Sequence, residues 1–421
     1  MDSEREQVAH VLRRVSFGPF PGQVEELLPR GPSGVIDLAL AQPAHRPTDP
    51  LPGQDDYGQS MTRYWLRRML DRTPSLHERM VWYWHGHLTS GLDKVPERAL
   101  WRQHGLIRTH ALGNFRTLLQ AVVTDAAMLL YLDAAGSQGE DPNENLARET
   151  MELFALGRDA ITEPDVRAAS RATAGFQVDG QSFAVTRVAE STYDRPLTIF
   201  GIRKRWDLSS FVDAVCDQPT CATHVTRRIY RHLVGVEPAP ARLEELASAF
   251  RRSGLEIRPL VESIVRGPEF LSSRRTRPRT PLEWLVPALA ITGNTAIDGR
   301  PADRKAGAEA VPPFDVSWLD RLGQMPFRPP NVGGWPADDR WLAAGQVITR
   351  ATLLQELRLH PQVIDTVAPT VDAVLAHCGL HDVTPTTRSA LQRAIDRQTE
   401  FDEGLELLVT LTLLSPEFAL A

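Results

Sequence analysis

Two histidines one residue apart, His85 and His87, follow Trp82-Tyr83-Trp84 in the stretch "RMVWYWHGHLTSG" (79–91). Imidazole ligates transition metals and carries protons near neutral pH, so the pair points to a metal centre or to acid–base work. Two residues along an ideal helix amount to about 200° of rotation, so both rings reach one ion only if the helix ends between them. Gly86 stands there, and glycine favours the left-handed conformation that ends helices. The bland alternative is a histidine at a helix C-terminus or a hydrogen-bonded core histidine.

A second cluster lies in "DPNENLARETMELFALG" (141–157). Asn145, Glu149 and Glu152 share one helical face at i, i+4, i+7, with Glu144 and Arg148 on a neighbouring one. Met151, Leu153, Phe154 and Leu156 leave little of this helix for solvent, and buried carboxylates need a partner or a ligand. Capping accounts for Glu144: Asp141 would be the N-cap, Pro142 the first helical residue and Glu144 the acid of the first turn. Glu144–Arg148 and Arg148–Glu152 would then be i,i+4 ion pairs. Glu149 is left unexplained, so Glu149, Glu152, Arg148 and Asn145 are the catalytic candidates. The metal candidates are His85, His87, Glu149 and Glu152.

Other chemistry is absent from the sequence. There is no G-x-S-x-G serine elbow and no glycine-rich phosphate loop, so no nucleotide cofactor is expected. Cys216, Cys221 and Cys378 form neither a zinc pattern nor a disulfide framework, and suit a reducing compartment. His10, His104 and His110 read as packing or surface residues. The net charge of −6 argues against a nucleic-acid binder. Two basic runs, "IRKRW" (202–206) and "SSRRTRPR" (272–279), read as solvated surface. No apolar run is long enough to span a bilayer, and the N-terminus does not resemble a signal peptide.

The elements that must hold these residues are helices. Val8, Val11, Leu12 and Val15 recur at i, i+3, i+4, i+7, and similar patterns continue along the chain. Ser75 and Glu78 have capping-box spacing before the histidine stretch. The expected fold is mainly α: one large helical domain over 1–421, with sub-units 1–176 and 207–421. A small β-hairpin insertion is expected near 177–200, around Asp179-Gly180. The segment 311–342, rich in Trp, Pro and Gly, reads as an irregular packed loop that covers something. "LVESIVRGPEF" and "LVTLTLLSPEF" form an echo that fits either a repeat or a shared way of stopping a helix.

Several segments together resemble the bacterial DUF1800 family (domain of unknown function 1800). They are "HVLRRVSFG" (10–18), "WHGH" (84–87), "IRTHALGNFRTLL" (107–119), "DAAMLLYLD" (125–133), "PNENLARETMELFALG" (142–157), "DVRAASRATAGF" (165–176) and "PPNVGGWP" (329–336). They occur in order across almost the whole chain. Gly86 stands where the family has Asn, Ala126 where it has Pro, and Tyr193 where a His often precedes Asp194. The resemblance implies no settled activity, but it groups the histidines, the carboxylate helix and the Trp-rich loop. Many relatives look exported, whereas this chain shows no leader, which points to a cytoplasmic branch in small-molecule biosynthesis.

The expectation is a metal-dependent enzyme, oxidative rather than hydrolytic, acting on a small molecule. Iron, manganese or zinc would sit between His85 and His87 and the Glu149/Glu152 helix, under a lid from 311–342. The alternatives are metal-free acid–base catalysis by a lyase or hydrolase, and a non-enzymatic binding or scaffold protein. A small-molecule substrate is expected, with no nucleic-acid or membrane partner; the sequence does not fix the oligomeric state.

Overall fold

The Asp2–Val15 helix buries Val8, Val11, Leu12 and Val15 completely, the face its periodicity marked. In this computed structural model, which describes residues 2–44, 56, 58–297, 314–336, 339–398 and 400–421, the same rule repeats along the chain. Helices dominate, and one continuous apolar cluster runs from Val8 to Phe418. Both expected sub-units contribute to it. Among the described residues no helix is long and apolar enough to cross a membrane.

Two helices are buried nearly all round and lie deepest. Leu76–His87 buries every residue except Gly86. Pro281–Thr292 buries every residue except Ala290. Trp284 of the latter donates its indole N–H to the Leu413 carbonyl, tying the helix to the C-terminal segment. Pro219–Val234 packs against Asp2–Val15, Pro240–Arg252 and Ile257–Val265, and presents one face to the histidine region.

The region near 177–200 holds two small antiparallel hairpins. Phe176–Val178 pairs with Val185–Arg187, and Leu197–Ile199 with Ile202–Lys204. The first does not turn tightly at Asp179-Gly180. Its loop runs to Ala184, with the Asp179 carboxylate accepting from Gln181 and Ser182. The second turns at Phe200-Gly201, both at positive φ, the geometry of a two-residue type I′ turn.

The "PEF" echo is punctuation. Pro268–Ser272 and Pro416–Ala419 are each short helices with Pro in the first turn, and Phe270 and Phe418 are buried anchors. The basic run 272–279 departs from the expected solvated surface. Arg277 and Arg279 are buried: Arg277 pairs with Glu283, and the Arg279 guanidinium lies over the Phe418 ring at 4.5 Å. The other run, 202–206, is exposed as expected from Ile202 to Arg205, while Trp206 is buried.

Candidate functional site

The histidine helix does not end at Gly86. It runs to His87 and stops at Leu88, so the two imidazoles leave it on opposite sides. Ser75 caps its start by accepting the Glu78 N–H, but the Glu78 carboxylate does not return the bond. It pairs instead with buried Arg108 and accepts the Trp65 indole N–H at 2.7 Å.

His85 enters an aromatic cage of Trp65, Trp82, Phe327 and Trp335, with ring centroids 4.9–6.0 Å away. Its Nε2 accepts the Phe327 backbone N–H at 3.0 Å. Burial lowers its pKa to about 3, so the ring is neutral. The loop that closes this cage is the described part of the Trp-rich segment. Thr89 donates its hydroxyl to the Val332 carbonyl, and Trp335 stacks on Trp82 at 5.7 Å. Gly334, at φ 76, lies against the Gly86 carbonyl, where a Cβ would overlap that oxygen. The expected covering loop therefore covers the histidine helix; residues 311–313 and 337–338 of it lie outside the described residues.

His87 takes the other direction. Asn145–Glu149 continues as a π-helical turn, Thr150–Ala155, in which Leu156 N–H reaches back five residues to Met151. The wider turn presents the Leu153 and Phe154 carbonyls to side chains. His87 Nε2–H donates to Phe154 at 2.9 Å, and His224 Nε2–H to Leu153 at 3.3 Å. His87 therefore carries its proton on Nε2, leaving the Nδ1 lone pair 3.4 Å from the Arg228 guanidinium. Burial, then Arg228 and His224, hold its pKa well below the ordinary value.

His87 lines a cavity of about 330 Å³. Its walls come from the histidine helix (Trp82, Tyr83, Gly86), from Pro219–Val234 (Arg228, Arg231, His232) and from the Gly333–Pro336 stretch of the loop. Arg277, Thr280 and Glu283 form one side, at the start of Pro281–Thr292. Tyr83 stacks on His87 at 5.5 Å and faces His232 at 5.0 Å. The Tyr83 hydroxyl is buried beside Arg228 without a hydrogen bond of ordinary geometry, and burial raises its pKa. His232 Nε2 is likewise buried and unpartnered, and burial, then Arg79 and Arg277, push its pKa well down. On that side, Glu283 takes Arg277 through both carboxylate oxygens at 2.8 Å and also bonds Arg79. Burial opposes its ionisation, yet Arg277 and Arg79 hold its carboxyl well below the usual range.

The expected site is not assembled as one set. His87 lines the cavity; His85 sits in the cage on the opposite side of its helix. Arg148 is the centre of an ion-pair network with Glu144, Glu152 and Glu163 at 2.8–3.4 Å. Glu152 also meets Arg158 at 3.5 Å. Glu149 is half-buried, and burial, then Glu152, raise its pKa. Asn145 is exposed, and its helix begins one residue after Glu144, with Asn143 rather than Asp141 accepting the first free N–H. Each histidine has one ring nitrogen committed to backbone. Among the described residues no three His, Cys, Asp or Glu side chains are grouped to hold a metal ion. The four metal candidates thus do not converge on a single ion.

Sequence reasoning missed Arg228, Arg231, His232 and the Arg277–Glu283 pair. The signal was present: His224, Arg228, Arg231 and His232 recur at i, i+4, i+7, i+8 and so share a helix face. Arg277 and Glu283 lie far from the histidines in sequence and carried no such mark.

A family model described as "Protein of unknown function (DUF1800)" matches residues 10–420. Comparisons with curated proteins and with solved structures return no match.

Proposed function

The chain belongs to the DUF1800 family, whose description assigns no activity, and from the site itself we propose a small-molecule enzyme that works by proton transfer at His87. One observation carries this reading: a neutral imidazole, fixed by its Nε2–H to the Phe154 carbonyl, lines a cavity of metabolite size, with its Nδ1 lone pair held only by a long 3.4 Å contact to Arg228.

In such a step the substrate gives its proton to Nδ1. The Phe154 carbonyl then stabilises the imidazolium through the Nε2–H bond it already holds. The buried Tyr83 hydroxyl is placed to donate to an oxygen on which charge develops, and Arg228 supplies a positive field beside it. The electron pair of the broken C–H bond forms the product double bond and expels the leaving group, which takes the proton back from Nδ1 and completes a lyase cycle. Trp82 and Trp335 limit water at one wall. Three buried free cysteines suit a reducing compartment, and we place the enzyme in the cytoplasm.

Incubation with the small-molecule fraction of a cell extract in D2O, followed by mass spectrometry, tests the reading. Deuterium exchange or product formation that survives chelation and is lost in His87→Gln is expected. Turnover abolished by chelation and restored by added metal, turnover retained in His87→Gln, or no turnover at all would overturn it.

A further inference from the structure

Positive charge is in excess around this cavity. Arg79 and Arg277 converge on Glu283, a single carboxylate. Buried Arg14 lies behind them, and among the described residues it donates to the Val234, Ser273 and Ala421 oxygens and the Thr276 hydroxyl. On the facing wall Glu237 engages Arg227 and Arg231 outside the cavity, whereas Arg228, one residue from Arg227, makes no ion pair among the described residues. Its hydrogen-bond partner is the His87 Nδ1 lone pair, a weak acceptor at 3.4 Å. Cations gathered in a partly desolvated pocket repel one another, and an anion there relieves both the repulsion and the desolvation cost.

A second, independent feature faces the same space. Tyr83 is more than nine-tenths buried and lines the cavity, and its hydroxyl is buried with no hydrogen-bond partner of ordinary geometry. A phenol beside a guanidinium offers two converging donors, the arrangement that recognises an oxyanion. The helix Pro281–Thr292 adds its N-terminal dipole at Thr280 on the neighbouring wall, although Glu283 already takes the Thr280 N–H there.

We propose that the cavity is an oxyanion site, which seats the carboxylate or phosphate of a small ligand between the Arg228 guanidinium and the Tyr83 hydroxyl. This rests on the acid–base reading of the same cavity and names the class of its substrate. The anion replaces His87 as the partner of Arg228, which frees Nδ1 for a proton and removes part of the positive field acting on the ring. The cavity volume is of metabolite size.

Calorimetric titration of the full chain with inorganic phosphate, and separately with acetate, tests the site and distinguishes the two sources of oxyanion. One of the two is expected to bind at one site per chain and to shift the His87 ring signals in NMR. Arg228→Met weakens that binding at least tenfold, Arg228→Lys weakens it less, and Tyr83→Phe weakens it severalfold. Arg388→Met, at a surface arginine paired with Asp372, leaves it unchanged. Equal affinity in Arg228→Met, or no stoichiometric binding of either anion, overturns the proposal. Binding needs no turnover, so an anion that binds through Arg228 in a protein inert toward the extract leaves this site standing and removes the acid–base reading. Extract turnover that depends on His87 but not on Arg228 does the reverse.

Discussion

His85 Nε2 accepts the backbone N–H of Phe327 at 3.0 Å, and Phe327 holds that position at φ 64. A bulky residue in the left-handed region costs on the order of 1–3 kcal/mol, so the surrounding contacts must over-determine it. They include the cage itself: the Phe327 ring lies 5.0 Å from His85 and 5.5 Å from Trp65. The Phe327 carbonyl also accepts the Leu92 N–H. His85 is thus a clasp for the Trp-rich loop.

His85→Ala leaves a buried N–H without an acceptor and opens the cage, and should cost about 3 kcal/mol. Urea unfolding measures this. The loop should loosen before the rest of the chain, visible as a change in tryptophan fluorescence below the main transition. A loss under about 1 kcal/mol would mean that the loop is docked by its other contacts.

Several buried histidines make stability depend on acid. Burial first of all lowers the pKa of His10 to about 2, His85 to about 3 and His224 to about 4, against 6.5 when solvated. Below pH 6.5 the unfolded chain therefore binds protons that the folded chain refuses, and stability falls as pH falls. Each such group contributes a slope of about 1.4 kcal/mol per pH unit until its own folded pKa is reached. Melting temperatures taken from about pH 7 to about pH 4.5 should drop steeply, and His85→Phe should make the drop shallower. A flat profile over that range would contradict the buried, neutral state of these rings.

The fold was legible where periodicity is strong, and the site where a motif is local. Asp2–Val15 could be read because one face of it is buried, and the first hairpin because half-buried Phe176 and Val178 alternate with exposed Gln177 beside the Asp179-Gly180 turn signal. The hairpin turning at Phe200-Gly201 was not, since Phe-Gly is no turn signature of the kind Asp-Gly is. His87 could be picked out by type, but its partners could not. Arg277 looked like part of a surface run because its carboxylate, Glu283, is recognised only once the helix Pro281–Thr292 is in place. The divergence of His85 and His87 turned on whether Gly86 ends the helix, and tertiary burial of the whole helix overrode the local preference.

Arg148 and Glu149 separate a structural network from a catalytic one. The Arg148 pairs are largely solvated, so Arg148→Ala should cost less than about 1 kcal/mol. Burial, then Glu152, raise the Glu149 pKa, so its ionised form is disfavoured by folding and that penalty grows as pH rises above its unfolded value. Glu149→Gln should accordingly leave the melting temperature unchanged or slightly higher at about pH 8, with extract turnover retained. Loss of turnover in Glu149→Gln with the fold intact would return this carboxylate to the active site.

Gly334→Ala tests the seat of the loop over the cavity. A Cβ at this position meets the Gly86 carbonyl, which belongs to helix backbone and has no room to yield. The positive φ adds a penalty of its own. The variant should lose the Trp82–Trp335 stack, seen as altered near-ultraviolet circular dichroism, while far-ultraviolet helicity is kept. Gly345→Ala, where a Cβ meets open space, should leave both signals unchanged.

Glu283 is the single carboxylate between Arg79 and Arg277, and its removal should be the most damaging of these changes. Glu283→Gln keeps the shape but strands two buried guanidiniums, a class of change that costs about 3–5 kcal/mol. The Glu283 pKa is depressed, so the lost stability is the part present above the unfolded carboxyl value and absent in strong acid. The gap between wild type and Glu283→Gln should therefore narrow as pH falls through the unfolded carboxyl range toward the folded value. Removing the charges together, as in Arg79→Met with Arg277→Met and Glu283→Leu, should recover much of the loss, because the penalty lies in unpaired charge rather than in missing volume. A triple variant less stable than Glu283→Gln would mean that the network holds the helices by geometry that apolar side chains cannot reproduce.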